Sequence, residues 1–484
     1  MNKFKNYFFL TAVVAYGILF YDQGQGINYL IFSGLLIILL LLAFPGAWRR
    51  SAWCYVAGAS LLSGFTLVWH HSTLAYIAHL LSLALLSGLT IQPAASFFGA
   101  LLHFFSSTFS SPLIQFSETI NMEDKQKSSK QPGRRWALGR KMGYVIPVLI
   151  TALFFVLYQN GNPVFASVVA TIDFSFISWN WIVFTFAGLL LLTGTFYPFI
   201  HDFFNFEQNI PDQLVRIRVK KSKTLNILTG LKREFQTGKL LFILLNLLIL
   251  FVNSLDFVYL FLLKTLPAGV NYKDFLHQSV HSLIWSIVLA IAVILYYFRG
   301  DLNFFSKNKS LKTLAYVWIF QNTLMVLITL YKNFTYISEG GLTHRRIGVY
   351  VYLLLTFIGL LVTFWKVLEA KSNWFLFKTN AWLFFIVLIC STFFNWDRII
   401  IDYNNQSRFK SSEFDWLKGY AVYELSDSVL PELTQMVISS PGSLTKEELD
   451  EVFRRKQQFL IRQLNAKSLS WNYEDARIAR EIIQ

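Results

Sequence analysis

The sequence predicts an all-α fold: a polytopic integral membrane helix bundle of about eleven spans with a small helical C-terminal extramembrane domain. Three observations carry this. The chain of 484 residues is 54% hydrophobic and only 15% charged, against about 25% charged residues in ordinary soluble domains. Its apolar residues gather in runs long enough to cross a hydrocarbon layer. Its Lys and Arg residues lie between those runs, and very unevenly. The run Ile347–Trp365 sets the scale. Nineteen uncharged residues at about 1.5 Å each give roughly 28 Å, one hydrocarbon thickness. A collar of His344, Arg345 and Arg346 opens it and Lys366 closes it.

Taken in order, the basic, apolar start resembles a signal peptide but lacks a small-residue cleavage site after its apolar core, so Tyr7–Tyr21 reads as an uncleaved first span. Ile27–Phe44, Ala52–Trp69 and Thr73–Ile91 follow as spans two to four. Ser60 and Gly64, four apart on the third, would permit a close helix contact. Ala94–Phe116 is apolar but rich in Ser and interrupted by His103 and Pro112, which favours a surface-lying or re-entrant segment. Residues 1–117 thus form an N-terminal membrane segment, and 118–141 a basic cytoplasmic loop. Residues 142–396 form a core of seven spans: Met142–Tyr158, Asn180–Ile200, Leu240–Leu263, Phe275–Phe298, Leu314–Tyr331, Ile347–Trp365 and Asn380–Phe394. Pro163 fixes φ in the NPVF turn after the first of these. Cys54 and Cys390 sit inside apolar runs and read as small core residues, not as a redox or metal pair.

Residues 397–484 change character, with twelve basic and fourteen acidic residues and no run long enough to span. Apolar residues at helical spacing predict helices over Phe414–Val437 (interrupted at Pro431), Thr445–Leu464 and Asn472–Ile483. Thr445 with Glu448 forms a capping box at the start of the second. So short a domain has a thin core of its own and is expected to lean on the membrane bundle.

Orientation follows from the short loops. With the N-terminus cytoplasmic and eleven spans, inside segments hold twenty-six Lys and Arg. Outside loops hold five: Lys264, Lys273, Lys332, Arg345 and Arg346. Counting Ala94–Phe116 as a span would break this pattern. The C-terminal domain is then external, which in a bacterial inner membrane means the periplasm.

Polar groups at membrane depth cost free energy and ask for a reason. Asn246, Asn253 and Asp256 fall within about 80° of arc on span seven at 100° per residue. His277 and His281 are four apart on span eight, Gln321 and Asn322 interrupt span nine, and Arg345 and Arg346 open span ten. A polar pocket lined by spans seven to ten and opening outward is the candidate site, where an Asp–His pairing could relay protons. The plainer readings are an Asp256 paired with Lys264 or an Arg, histidines that cap and pack, amides that join helices, and arginines that anchor at head groups. The His pair has metal-site spacing but lacks two further ligands, so neither metal nor cofactor is expected.

No phosphate-binding glycine loop, HExxH or GxSxG occurs, and the C-terminal domain has no histidine. No nucleic-acid module accompanies the net charge of +15, so the partners expected are the lipid bilayer, proteins at the outer domain and basic loops, and no nucleic acid. Several stretches point to one family. They are RIGVYVYLLLTFIGLLVTFWKV with NWFLFKTNAWLF, NPVF at 162–165, LDFVYLFLLKTLP, HQSVHSLIWSI, IIIDYN, YELSDSVLPEL and SLSWNYEDARIA. In them the chain resembles bacterial multi-pass membrane proteins of a domain of unknown function, four-one-five-three/four-one-seven-three type. The resemblance implies a membrane fold and no reaction. The leading expectation is a non-enzymatic envelope scaffold or signalling component. A secondary transporter or channel using the polar pocket is the alternative. A third reading is an enzyme on lipid-linked substrates, with Arg345 and Arg346 holding a phosphate and Asp256 as base.

Overall fold

The computed structural model describes residues 4–125, 178–199, 210–216, 224–263, 272–405, 411–439 and 444–483, with Glu207 and scattered positions between 150 and 165. Among these residues the fold is all-helical, without a strand. The chain divides into two compact units, residues 1–208 with 465–476, and 209–464 with 477–484.

In the first unit α1 (Lys5–Phe20), α2 (Ile27–Ala43), α3 (Ser51–His70), α4 (Thr73–Ile91), α5 (Phe97–Lys125) and α6 (Trp179–Phe196) pack side by side. Their ends are set by local chemistry. Ser72 accepts from Ala75 N to cap α4, and Ser178 accepts from Trp181 N to cap α6. His71 ends α3 in the left-handed region at φ 47°. Small residues admit the neighbours: a Cβ on Gly188 would enter the Tyr16 ring, and one on Gly64 would sit 3.2 Å from Leu30 Cα. The close contact expected around Ser60 and Gly64 is therefore present. Residues 465–476 lie on the α1–α2 and α3–α4 turns. Ser470 Oγ accepts from Gly24 N at 2.6 Å, Trp471 O accepts from Ile27 N at 3.0 Å, and Tyr473 stacks on Trp69 at 4.6 Å.

In the second unit α7 (Thr224–Phe257) continues into a π-helical turn, Val258–Leu263, followed by α8 (Tyr272–Tyr297), α9 (Lys309–Gly340), α10 (His344–Leu368) and α11 (Asn373–Ser391). Beyond these come α12 (Trp396–Asn404), α13 (Ser411–Glu424), α14 (Leu430–Ser439), α15 (Lys446–Leu464) and α16 (Tyr473–Ile483). The capping box forms as expected, with Glu448 accepting from Thr445 N at 2.8 Å and Thr445 Oγ1 from Glu448 N at 3.3 Å. Ile400, Ile401, Val422, Leu425, Val429 and Leu433 share one hydrophobic core with Ile337, Leu342 and Ile347 of the α9–α10 turn.

Among the described residues eight helices are long and apolar enough to cross a membrane, α3 to α7 and α9 to α11, with α1, α2 and Leu283–Tyr297 shorter but apolar. Side-chain partition fits such a solvent. On α7 Leu247, Leu248 and Phe251 are about 60% exposed while Asn246 and Asn253 are buried. Polar groups turned in and apolar groups turned out is the inverse of a soluble helix.

Several expectations are corrected. Cys54 and Cys390 are exposed rather than core residues, as follows when the apolar exterior faces lipid. Pro112 does not break its helix, because α5 runs on to Lys125 and its Phe97–Ile114 stretch qualifies as a span by length and composition. Span nine extends to Gly340, which draws Lys332 out of the expected loop and into α9. Span eleven starts at Asn373, after a turn in which Ala370 takes φ 51°. Most of Met142–Tyr158, Pro163 and most of the 118–141 loop lie outside the described residues.

Candidate functional site

The polar residues of α7 meet those of α9 in a ladder. Asn246 Nδ2 donates to Leu314 O at 3.0 Å, and its Oδ1 accepts from Gln321 Nε2 at 2.9 Å. Asn253 Nδ2 donates to Gln321 O at 3.0 Å, and Lys332 Nζ meets Asp256 Oδ2 at 2.9 Å. The partners are offset by 68 to 76 residues throughout, which is the register of two helices running in the same direction. Seven-residue spacing, 246 to 253 and 314 to 321, returns each group to the same seam. Asp256 thus has an intramembrane cation, but one the sequence had assigned to a loop. The Lys332 side chain is 2% exposed and that of Asp256 17%.

The remaining predicted residues separate. Asn322 turns back onto its own helix, donating to Trp318 O at 2.7 Å. Arg346 is buried and its Nη1 donates to the carbonyls of Gly340 and Gly341, while its guanidinium lies 4.0 Å from the Tyr336 ring centre. It fastens the end of α9, where unmatched carbonyls and the helix dipole favour a cation. Arg345 is exposed. His277 and His281 lie four apart on α8, but their side chains fall outside the described set. Among the described residues no three His, Cys, Asp or Glu side chains gather as metal ligands would.

Three further features had no place in the expected pocket. His79 is fully buried in α4, its Nε2 3.3 Å from Ser33 Oγ and its Nδ1 3.2 Å from Ser63 Oγ. Ser63 Oγ donates to Ser60 O, which leaves it free to accept from a protonated Nδ1. Lys366 is buried at the far end of α10 and donates to Phe298 O, the carbonyl that ends α8, at 3.0 Å. The third is a polar joint over the α9–α10 turn. Leu342 N donates to Asn404 Oδ1 at 2.7 Å and Asn404 Nδ2 returns to Leu342 O at 2.8 Å. His344 Nε2 meets Asp397 Oδ1 at 2.6 Å, and Tyr420 OH lies 3.0 Å from His344 Nδ1. Burial alone would raise the Asp397 carboxyl, but hydrogen bonds from His344 and Ser426 outweigh it and hold the group below its usual range.

Chemically, the ladder offers one carboxylate–ammonium pair in a row of amides, and the joint offers one imidazole–carboxylate pair. Neither brings a nucleophile to a general base beside an oxyanion site. The polar groups are mostly consumed by one another, so the expected pocket resolves into an interhelical seam and a separate joint.

No curated protein and no solved structure matches the chain. One family model does, over residues 8–436. That match takes in both units and the α9–α10 joint, so the chain belongs to the family described as "Domain of unknown function (DUF4153)".

Proposed function

We propose that the protein is a non-enzymatic envelope component, a membrane scaffold or signalling subunit that carries its C-terminal helical domain on a fixed mount outside the bilayer. The observation that carries this reading is the core shared between α12–α15 and the α9–α10 turn. A domain that swung freely would not place Leu342 and Ile347 of the membrane bundle among its own buried residues. The reciprocal Leu342–Asn404 bonds add a fixed register to that core.

The finer reading is about eleven spans in a bacterial inner membrane, with the N-terminus cytoplasmic and the C-terminus periplasmic. Each unit supports it separately. In the first, residues 465–476 rest on the two turns opposite the end that holds Lys5, Arg49 and Arg50. In the second, α12 and α13 rest on the α9–α10 turn, one helix length from Lys366. Ile438 is 73% exposed and gives a handle. With Cys54 and Cys390 removed, Ile438→Cys is expected to react with an impermeant maleimide in spheroplasts and Arg49→Cys only after lysis. The reverse pattern would turn the protein over.

A second reading, a secondary transporter, is favoured by the buried Lys332–Asp256 pair and the π turn directly after it. Intramembrane ion pairs and π turns both concentrate at functional sites. One complementation experiment separates the two readings. Deleting residues 411–484 is expected to abolish rescue of a null strain, and Asp256→Asn with Lys332→Met to retain it. The opposite result would favour transport.

A further inference from the structure

A cavity of about 690 Å³ opens between the α2–α3 turn and the end of α4. It falls within the range of ligand-sized clefts. Its walls are mainly apolar, Phe44, Pro45, Ala47 and Pro93 among them, with one hydroxyl, that of Thr90, and one charged residue, Arg50. We propose that this groove holds the head group of an anionic phospholipid, with the acyl chains leaving along α3.

Charge is the first argument. Arg50 and its neighbour Arg49 are exposed, and among the described residues neither forms an ion pair. The Lys5 ammonium lies over the outer wall, 4.5 Å from the Phe44 ring centre and 5.2 Å from that of Tyr197. Glu207, an acid held beside Ser96 in the same unit, is already engaged. Its oxygens accept from Ser96 N at 2.9 Å and Ser96 Oγ at 2.5 Å. α3 begins at Ser51 with no side-chain cap, so its first N–H groups add to the positive field beside Arg50. Three cations around an apolar cleft complement a phosphodiester.

The second argument selects a lipid over a soluble phosphate. A site for a free anion would be lined with donors, whereas the one wall hydroxyl, that of Thr90, is already engaged by Trp53 Nε1 and Leu86 O, and apart from Arg50 the other wall side chains are apolar or absent. Trp48, two residues before Arg50, is 57% exposed, and α3 exposes Tyr55 at 76% and Leu62 at 45%. Residues 55 and 62 are seven apart and share a helix face, which gives chains an apolar track. An aromatic ring with cations beside it is what a head-group level demands.

The test uses the full-length protein in phosphatidylcholine vesicles, with a diazirine-bearing phosphatidylglycerol as probe and mass spectrometry of residues 44–55 as readout. Labelling there is expected to be competed by unlabelled phosphatidylglycerol and not by phosphatidylcholine. Arg50→Ala and Arg49→Ala should each weaken that competition about fivefold, the equivalent of about 1 kcal/mol per surface cation. Arg50→Lys should retain most of it, and Arg345→Ala, at an exposed arginine that does not line the groove, should change nothing. Equal competition by phosphatidylcholine, or labelling indifferent to both arginine substitutions, would overturn the site. Displacement by glycerol phosphate as strong as by the lipid would show a free-phosphate site instead and overturn the lipid assignment.

Discussion

Asp256→Asn gives the sharpest test of the α7–α9 seam. The substitution keeps the shape of the side chain and removes its charge, leaving the Lys332 ammonium 2% exposed with no counter-ion at 2.9 Å. Breaking a buried pair from one side costs about 3–5 kcal/mol, because the surviving charge keeps its desolvation penalty and loses its compensation. Asp256 retains 17% of its side-chain exposure, which moves the expectation to the lower end of that range, about 3 kcal/mol. Lys332→Met leaves behind the carboxylate, the more accessible of the two groups. Its cost should be smaller, about 2 kcal/mol. The double variant replaces the pair by groups that need no partner, and should lose no more than about 1 kcal/mol. Subtracting the double from the sum of the singles gives a coupling of about 4 kcal/mol. Denaturation by SDS in mixed micelles, followed by tryptophan fluorescence, measures all four corners of the cycle. A coupling under about 0.5 kcal/mol would mean that the two charges do not depend on each other, and the argument for an ionic lock would fail.

Other outcomes follow from the joint and the helix ends. Arg346→Ala should lower the thermal midpoint through loss of charge-assisted bonds worth about 1.5–3 kcal/mol, and Arg346→Lys should not restore it, because one ammonium cannot also stack on Tyr336. Asp397, whose folded pKa is depressed, contributes stability that is full above its ordinary value of 3.8 and lost as pH falls through the folded value. Proteolysis of the C-terminal helices should therefore rise in that acid window, and Asp397→Asn should flatten the profile. Glu432 has the opposite sign: burial raises its carboxyl, so its contribution is lost as pH rises from 4.5 through the raised value, and Glu432→Gln should remove that loss. Gly26→Ala would drive a Cβ to within 2.4 Å of the Ser470 carbonyl carbon, so trypsin should cut at Lys467 faster in that variant.

Much of this was legible in the sequence because a bilayer punishes error in simple ways. Hydrophobic run length and charge placement located the helices. The arc shared by Asn246, Asn253 and Asp256 predicted that one face of α7 would meet a polar partner, which α9 supplies. Lys332 was missed because a lysine after an apolar run reads as its end. The signal lay in phase rather than composition: Gln321, Thr329, Lys332 and Asn333 fall within about 120° on one helix, so the polar stripe continues through the lysine. His79 was missed for the converse reason. A single histidine within Thr73–Ile91 carries no periodicity, and its partners, Ser33 and Ser63, are contributed by two other helices. The His344–Asp397 contact joins residues 53 positions apart, with α10 and α11 between them in the chain, which local pattern cannot register.

The path of α5 shows how such contacts constrain topology beyond what length and hydropathy allow. Ser87 Oγ and Thr195 Oγ1 lie 2.6 Å apart, which brings the ends of α4 and α6 to one depth. Ala100 packs its backbone against Gly88, and Ser107 donates to Gly194 O at 2.7 Å, so the two contacts flank that link. Seven helical residues rise about 10 Å, and α5 uses that rise to pass from one helix end to the other. A partner running antiparallel down α4 would instead carry Ser107 about two turns deeper, beside residues in the low eighties. The buried face, Ala100, His103, Ser107 and Ser111, is small or polar, whereas Phe98, Leu102, Phe105, Phe109 and Leu113 are 40–72% exposed. An apolar outer face with a lateral course fits a helix lying at the interface, although its Phe97–Ile114 stretch is long enough to span.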